Sequence, residues 1–379
     1  MARYWQATGD LDEAARDACH AQWLLGRCRT PPVVPAADIA LTLAEIERAR
    51  DDQTADRAHL EYCLDLLEAA PEAGHRDRML VRALTALGDC HRRAGRYREA
   101  GEVLDRALRS VERDGGAPDL LAAVLTVLGI TAKELGEYDR AARHYARVHA
   151  IHRESGASRA DAATLQHNLA GLEYSRGHYL RAEAHARHAV ALRQASRATR
   201  VDLAADLAVL GSAVAGQHRY QEARDLFGQA LEACRAARPP RQYEIAVHLH
   251  NLADLEQADG RPAQAEALYR EALATKERLL GAGHPEVALV ANNLGTLLHE
   301  QRRPEAADWF RRALAIVERA YPPAHPVTLR IRRNLDRLAH TGPEGCLLAG
   351  GEPGHPRSPE ADVGLRAGAR SSSGPSAVR

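Results

Sequence analysis

One spacing recurs six times along this chain of 379 residues. A Leu is followed by Gly or Ala, and a turn residue, mostly Gly, lies seven positions after that small residue. An aromatic residue or Pro follows at position nine, and an Ala at position twelve. Successive small residues, which we call anchors, are 41, 41, 41, 42 and 42 residues apart, and a fixed period of this length predicts stacked supersecondary units. The anchors are Gly88, Gly129, Ala170, Gly211, Ala253 and Gly295.

Each period predicts two helices joined at the turn residue. In the fifth unit, apolar residues recur from Ile245 to Leu255 at intervals of four, three and three, which is the stripe of one helix face. A second stripe starts after Pro262. Proline suits the first turn of a helix, because the backbone N–H that it lacks would have no hydrogen-bond partner within the helix at that position. In the sixth unit, Arg302 or Arg303 replaces the turn Gly. Because Gly in mid-helix costs about 1 kcal/mol relative to Ala, we expect the anchors to allow close approach of the paired helix.

With a later Ala-Leu pair in several units, for example Ala272-Leu273, the pattern resembles the tetratricopeptide repeat over about residues 80–340. The common form of that repeat has 34 residues. The longer period here, and His284-Pro285 and His325-Pro326 before new first helices, resemble the kinesin-light-chain type. The resemblance implies an all-α fold, a right-handed α-solenoid of antiparallel helix pairs, or TPR superhelix. It also implies that the first helices of the pairs line a concave groove.

The pattern predicts irregular ends. Residues 1–79 hold two tetratricopeptide-like units, the first lacking most of its first helix, and residues 80–326 hold the six regular units. Residues 327–340 repeat the first-helix pattern once, as a capping helix does, and residues 341–379 lack periodicity, which predicts a disordered tail. Two explanations of the incomplete first unit stay open. One is a longer regulator resembling the STAND ATPases, with a nucleotide-binding domain upstream, and the other is a frayed cap starting at Met1.

The composition argues against several function classes. The 51 basic and 51 acidic residues balance, so nothing global attracts nucleic acid or an anionic membrane. No apolar run is long enough to span a membrane, and the start of the chain does not resemble a signal peptide, so we expect a cytoplasmic protein. The excess of Arg over Lys is typical of a GC-rich bacterial genome. Neither Lys133 nor Lys276 lies in a phosphate-binding loop, and no catalytic motif occurs, so we expect no enzyme and no cofactor.

Cysteines and histidines do not combine into a metal site in the sequence. No two cysteines form a CxxC pair, which predicts free thiols. His185 and His188 have no carboxylate or thiol at ligand spacing on their own helix, and the repeat scatters the other histidines. We therefore expect surface histidines and no bound metal. The six cysteines are Cys19, Cys28, Cys63, Cys90, Cys234 and Cys346.

Polar side chains on the first helices are the strongest candidates for a binding site. The residue two places before the anchor is Asn168, Asn251 or Asn293 in three of the units, and Asn334 continues the series. A carboxamide both donates and accepts, so it can pair with an extended main chain of any sequence. The alternative is that these amides bond between adjacent first helices and stiffen the stack. Beside them, the resemblance implies further groove positions at His167, His250, Asn292, Tyr174, Asp254, Gln257, His299 and Glu300.

The front half of the chain differs, because its equivalent positions are apolar and lie near basic residues. Arg92, Arg93 and Lys133 form the basic group, which could clamp an acidic side chain or a C-terminal carboxylate. The alternative is a solvated charged face.

These patterns predict a non-catalytic scaffold that binds a peptide or a protein segment in the concave groove. Two alternatives remain: a sensor module of a STAND-type ATPase or transcriptional regulator, and a peptide-pheromone receptor. The expected partners are proteins or peptides, without nucleic acid or membrane. Self-association through the exposed edge of the N-terminal repeat is a further expectation.

Overall fold

The computed structural model describes residues 11–27, 32–50, 52–69, 74–113, 117–196, 198–237 and 240–340. These residues form sixteen α-helices and contain no strand. The chain divides into two compact units, one with Met1–Ser155 and Ala320–Pro322, the other with Gly156–Arg319 and Pro323–Arg379. The predicted disordered tail at 341–379 and the start of the first predicted unit, residues 1–10, lie outside the described residues.

The first unit contains a single helix followed by three helix pairs. The single helix α1 (Leu11–Gly26) packs on α2, the two helices of each pair pack on each other, and each pair also packs on the next. The pairs are α2 (Val33–Ala49) with α3 (Gln53–Glu68), α4 (Gly74–Arg93) with α5 (Tyr97–Arg113), and α6 (Pro118–Glu134) with α7 (Tyr138–Ser155).

The second unit contains four helix pairs and one further helix. Neighbouring pairs pack on each other, and each first helix contacts the first helix of the next pair. The predicted all-α solenoid of packed helix pairs is therefore confirmed within each unit, while the boundaries between regular and irregular units stay a prediction. The helices are α8 (Arg159–Ser175), α9 (Tyr179–Ala195), α10 (Arg200–Ala215), α11 (Tyr220–Ala236), α12 (Gln242–Ala258), α13 (Pro262–Leu280), α14 (Pro285–Glu300), α15 (Ala306–Ala320) and α16 (Pro326–His340).

The anchors lie where the two helices of a pair come closest. A Cβ placed on Gly88 would lie 2.5 Å from Cγ of Leu104, and one placed on Gly211 would lie 2.9 Å from the ring of Phe227. In both pairs the opposing side chain comes sixteen residues after the anchor and is buried. The close approach expected from the small anchors is therefore present.

In each of the six regular units, the turn between the two helices contains a residue in the left-handed conformation. Gly supplies it in four of the six regular units, with φ between 73° and 77°. His218 and Arg302 take the same conformation with φ of 62° and 58°, although it costs a residue with a Cβ about 1–2 kcal/mol. Arg302, rather than Arg303, thus occupies the turn position of the sixth unit, and the turn geometry is kept without Gly.

The His-Pro pairs mark the starts of two first helices. Nδ1 of His284 accepts a hydrogen bond from the backbone N–H of Glu286 at 3.2 Å, and Nδ1 of His325 accepts one from Val327 at 3.2 Å. Both imidazoles are buried. The His therefore caps α14 and α16 in the way that Ser or Asp caps other helices.

We predict that Gly88→Ala lowers the free energy of unfolding by about 1–3 kcal/mol, because the new methyl group must displace Leu104 from a packed position. Urea denaturation of the full chain measures the change. Gly101→Ala in α5 is the matched control, since a Cβ there meets nothing within 4 Å. That change should raise stability by about 0.5–1 kcal/mol. If Gly88→Ala were equally stabilising, the anchor would not limit helix approach.

Candidate functional site

All five asparagines of the chain lie on first helices of the second unit. Those on α8 and α12, and the first of the two on α14, are buried, whereas the second on α14 is partly exposed. The series skips α10, which has Val209 at the equivalent position. Most of these amides therefore lie against neighbouring helices. The five are Asn168, Asn251, Asn292, Asn293 and Asn334.

Three first helices are joined by an amide network. Nδ2 of Asn293 on α14 donates to Oδ1 of Asp254 on α12 at 2.8 Å and lies 3.0 Å from Nε2 of His250. Nδ2 of Asn292 donates to Oδ1 of Asn293 at 3.1 Å, and Nδ2 of Asn334 on α16 donates to Oδ1 of Asn292 at 3.0 Å. The structure thus brings these predicted site residues together, and their contacts are bonds between adjacent first helices.

Asn251 and Asn168 differ from that network. Both the oxygen and the nitrogen of the Asn251 amide are buried and have no hydrogen-bond partner among the described residues. The same holds for the nitrogen of Asn168. Leaving a buried polar group unpaired costs about 1–3 kcal/mol, and such groups are rare in folded proteins. These two side chains therefore have hydrogen-bonding capacity that the fold does not use.

Asp254 lies one helical turn after Asn251. Its Oδ1 accepts from Asn293 and from the hydroxyl of Tyr269, which is 2.5 Å away and also 2.9 Å from Oε1 of Gln257. Burial, together with Asp254, raises the pKa of Tyr269 well above its usual value, so that the phenol keeps its proton. Oδ2 of Asp254 is buried without a partner among the residues described. Only one oxygen of this carboxylate therefore accepts hydrogen bonds from the described residues.

His167 is held in a different contact, between α8 and α10. Its Nδ1 lies 2.9 Å from Oδ1 of Asp206, and Nε of Arg193 donates to the other oxygen at 2.8 Å. Burial favours a raised pKa for Asp206, but the hydrogen bonds from His167 and Arg193 outweigh it and lower that pKa. Tyr174 is buried beside Tyr179, and its ring is therefore packed rather than open to solvent.

His299 is partly exposed near the end of α14, one turn beyond Thr296. Of the predicted groove residues of the second unit, Asp254, Gln257, Asn293 and His299 are partly exposed, and Glu300 is exposed. The structure does not gather His299 into the amide network described above.

In the first unit the two predicted clamp arginines are bound to carboxylates of the chain. Nη2 of Arg92 donates to Asp89 at 2.7 Å and Nη1 donates to Glu134 at 3.0 Å, while Arg93 donates to the fully buried Asp56 at 3.5 Å. Burial favours a raised pKa for Asp89, but the neighbouring arginines hold it well below its usual range. These guanidinium groups therefore neutralise acids within the fold.

Lys133 differs from the two arginines. It is buried on α6, and the structure gives its amine no ion pair or hydrogen bond with any described residue. Of the three predicted basic residues, it is the one whose charge the described fold leaves unmatched.

The sequence analysis did not predict two polar residues of the core. Asp206 and His248 stand five places before their anchors, where the other regular units have the apolar Ala83, Val124, Leu165 and Val290. His248 lies with Nε2 3.5 Å from Sγ of Cys234, and both residues are buried. A comparison of the units at this position could have identified both residues, because each places a charged or imidazole group where an apolar core side chain is expected.

A buried ion pair lies at the start of α14. Nζ of Lys276 lies 3.2 Å from Oε2 of Glu286, and the hydroxyl of Tyr243 donates to the same carboxylate at 2.8 Å. The single lysine of the second unit is therefore already paired within it.

Of the four described cysteines, Cys19 is exposed and the other three are buried. Cys19, Cys63, Cys90 and Cys234 are free, as predicted, while Cys28 and Cys346 lie outside the described residues. Burial raises the pKa of Cys63 and Cys234 to about 12, so these thiols stay protonated. No group of His, Cys, Asp and Glu in the described ranges could hold a metal ion.

None of the helices described has the length and apolar character needed to cross a bilayer.

The family model for the tetratricopeptide repeat matches residues 79–154, 161–236 and 244–319. Together with the packed helix pairs, this match defines a helical-repeat interaction protein. The chain belongs to the tetratricopeptide repeat family. Its period of 41–42 residues is similar to that of the kinesin-light-chain type. No curated protein matches the chain.

Solved structures share this fold. The Rap conjugation gene regulator of the plasmid pLS20, in complex with the Phr* peptide, is 15% identical, with a TM-score of 0.61 over 80% of this chain and 77% of that chain. The quorum sensor NprR from B. thuringiensis, in its apo form, is 13% identical, with a TM-score of 0.58 over 83% of this chain and 85% of that chain. A putative kinesin light chain of Podospora anserina is 21% identical over 53% and 97%, and its TM-score of 0.39 is too low for argument. Similarity at these identities shows the fold alone.

We predict opposite effects on stability for two asparagines of this site. Asn293→Ala removes the donor to Asp254 and the partner of His250, and should lower the free energy of unfolding by about 1–3 kcal/mol. Asn251→Leu, of similar size, replaces an unpaired buried amide by an apolar group and should leave stability unchanged or higher. Urea denaturation of both variants measures this. A loss above about 1 kcal/mol in Asn251→Leu would show that its amide is paired.

We predict that stability falls as the pH is lowered from 7 to 5. Burial lowers the pKa of His248 and of His250 to about 4, so the unfolded chain takes up protons first, near its ordinary imidazole pKa of about 6.5. The stabilisation is complete above that value and is lost as the pH falls towards 4, by about 2 kcal/mol per imidazole at pH 5. Urea denaturation at both pH values, compared with His248→Leu/His250→Gln, measures this contribution. An equal pH slope in the double variant would contradict it.

Proposed function

We propose that this chain is a non-catalytic interaction protein whose second unit binds an extended segment of a partner along its first helices. The observation that carries the proposal is the amide of Asn251, buried and unpaired at both atoms in the described structure. An extended main chain presents a donor and an acceptor that match such an amide. Each bond formed is worth about 0.5–1.5 kcal/mol net.

The amides divide into two roles in this proposal. Asn251 and Asn168 contact the ligand, because both polar atoms of Asn251 and the amide nitrogen of Asn168 have no partner among described residues. Asn293, Asn292 and His250 hold neighbouring first helices together and orient the site through the network between α12 and α14. In this proposal, some of the first-helix polar residues bind the ligand and others hold adjacent first helices together.

Further contacts complete the proposed surface. His299, partly exposed on α14, belongs to this surface, whereas the buried Tyr174 supports α8 from within. The first unit has a separate candidate contact. Lys133 is the residue proposed to meet an acidic group of a partner, whereas Arg92 and Arg93 are bound to Glu134 and Asp56 of the fold.

Family and fold support an interaction role without chemistry of its own. Tetratricopeptide repeats bind through stacked helical surfaces, and the Rap regulator of similar fold is in complex with a peptide. The free, buried thiols suit a reducing compartment such as the cytoplasm.

A second candidate function is a peptide-sensing regulatory module. The observation in its favour is that the Rap conjugation gene regulator and the quorum sensor NprR have similar folds over more than three quarters of this chain. In that case peptide binding would change the contacts of the chain with a further protein. Peptide-dependent binding of a second protein would separate this role from that of a simple scaffold.

We predict that phage-displayed random peptides are enriched on the immobilised full chain and that Asn251→Leu weakens their binding. Two lost main-chain bonds correspond to about a tenfold or larger loss of affinity, measured by fluorescence anisotropy with synthetic peptides. The matched control is Gln229→Ala, which removes an exposed amide from the second helix α11. Unchanged affinity in a folded Asn251→Leu chain would contradict the groove assignment, and the absence of enriched peptides would contradict peptide binding itself.

A further inference from the structure

Asp254 is an acid without a basic partner in a unit where comparable acids have one. It forms no ion pair with Arg or Lys among the described residues; the nearest charged-type contact is His250, 3.6 Å away. Other well-buried carboxylates of the same unit are matched. Asp206 pairs with Arg193, Glu256 with Arg224, and Glu286 with Lys276, at 2.8, 2.8 and 3.2 Å.

The groups in contact with Asp254 supply hydrogen bonds but no positive charge, while Lys276 and Arg330 act on the neighbouring His250 from a greater distance. Burial lowers the pKa of His250 to about 4, so this imidazole is neutral near pH 7. Tyr269 and Asn293 are neutral donors to Oδ1. Gln257 donates to Glu300, which adds a second acid nearby. A partly desolvated carboxylate with only neutral donors has a strong preference for an added cation.

The carboxylate has an unused acceptor on a side chain that is partly open to solvent. The side chain of Asp254 keeps 20% of its surface exposed, although Oδ2 itself is buried, so a ligand group reaches this oxygen when neighbouring side chains move aside. Its Oδ2 has no donor within the described structure. A cationic donor would complete the coordination that Tyr269 and Asn293 begin on Oδ1.

A second, independent observation lies on the same helix. Asn251 precedes Asp254 by one turn of α12, a rise of about 4.5 Å, so both residues lie on one face. The Asn251 side chain is 2% exposed and unpaired at both polar atoms in the described residues. A segment whose main chain pairs with Asn251 therefore brings an adjacent side chain to Asp254.

We propose that Asp254 is a specificity site for a cationic side chain, arginine or lysine, of the segment bound at Asn251. This proposal rests on the proposed function and adds a chemical class to the ligand: a peptide with a basic residue next to the portion held by the amide. The charge–charge contact selects that residue, and the amide holds the main chain irrespective of sequence.

Selection of random N-acetylated peptides displayed on beads tests the proposal with the full chain. Acetylation removes the terminal amine, so any basic signal comes from a side chain. Peptides selected on the wild type should carry Arg or Lys at one fixed position, and selection on Asp254→Asn should lose that preference. Asp225→Asn, which removes an exposed acid from α11, is the control and should keep it. A basic preference equally strong in Asp254→Asn would overturn the proposal.

A charge-only change in the ligand gives a second measurement that does not depend on how the variant folds. Replacing the selected Arg by citrulline, its neutral isostere, should weaken binding to the wild type by about 10- to 100-fold. The same replacement should weaken binding to Asp254→Asn by less than about threefold, since the charged partner is absent. A wild-type affinity unchanged by citrulline would overturn the proposal.

The selection also separates this proposal from the proposed function. Peptides enriched without a basic residue, but weakened by Asn251→Leu, would leave peptide binding in place and overturn the role of Asp254. No enrichment on the wild type would overturn both.

Discussion

The contact on which both units depend is the one between each anchor and the paired helix. Gly88 lies against Leu104 and Gly211 against Phe227, at distances that leave no room for another carbon atom. This contact sets the separation of the paired helices and hence the place where neighbouring first helices meet. Asn251 and Asp254 lie on either side of the anchor Ala253, which is fully buried. The candidate site therefore lies on the part of the first helix that the repeat packing also uses.

The sequence predicted the repeat well because its signals are local. Anchors, turn residues and apolar stripes recur at fixed spacing, and even Arg302 in place of Gly kept the turn conformation. The hydrogen-bonding state of the polar residues could not be predicted, because their partners come from other units about forty residues away. Asn293 meets Asp254 of the preceding unit, whereas Asn251, at the same repeat position, meets no partner among described residues. Identical positions thus acquire different environments from the residues that neighbouring units present.

The two units use polar side chains differently. In the first unit, Arg92 and Arg93 are matched by acids of the fold, and this charge balance within the described residues leaves Lys133 as the exception. In the second unit, the amides are partly joined to one another and partly unpaired. A polar side chain that is hydrogen-bonded to another helix adds rigidity to the stack. A buried polar side chain without a partner lowers stability, and a ligand that forms the missing hydrogen bond removes this loss. The functional proposals therefore concern the amide of Asn251 and the unpaired Oδ2 of Asp254.

Asp206 and His248 also have a consequence for how the chain assembles. Units with similar surfaces can dock on the wrong neighbour, displaced by one repeat, and an entirely apolar interface would distinguish poorly between the two arrangements. A displaced stack would bury Asp206 away from His167 and Arg193, and an isolated buried carboxylate costs several kcal/mol. A polar pair thus marks one interface as different from the others, as a buried Asn does in a coiled coil. The repeats of this chain are consequently not interchangeable, and their order along the stack is encoded in side chains of the core.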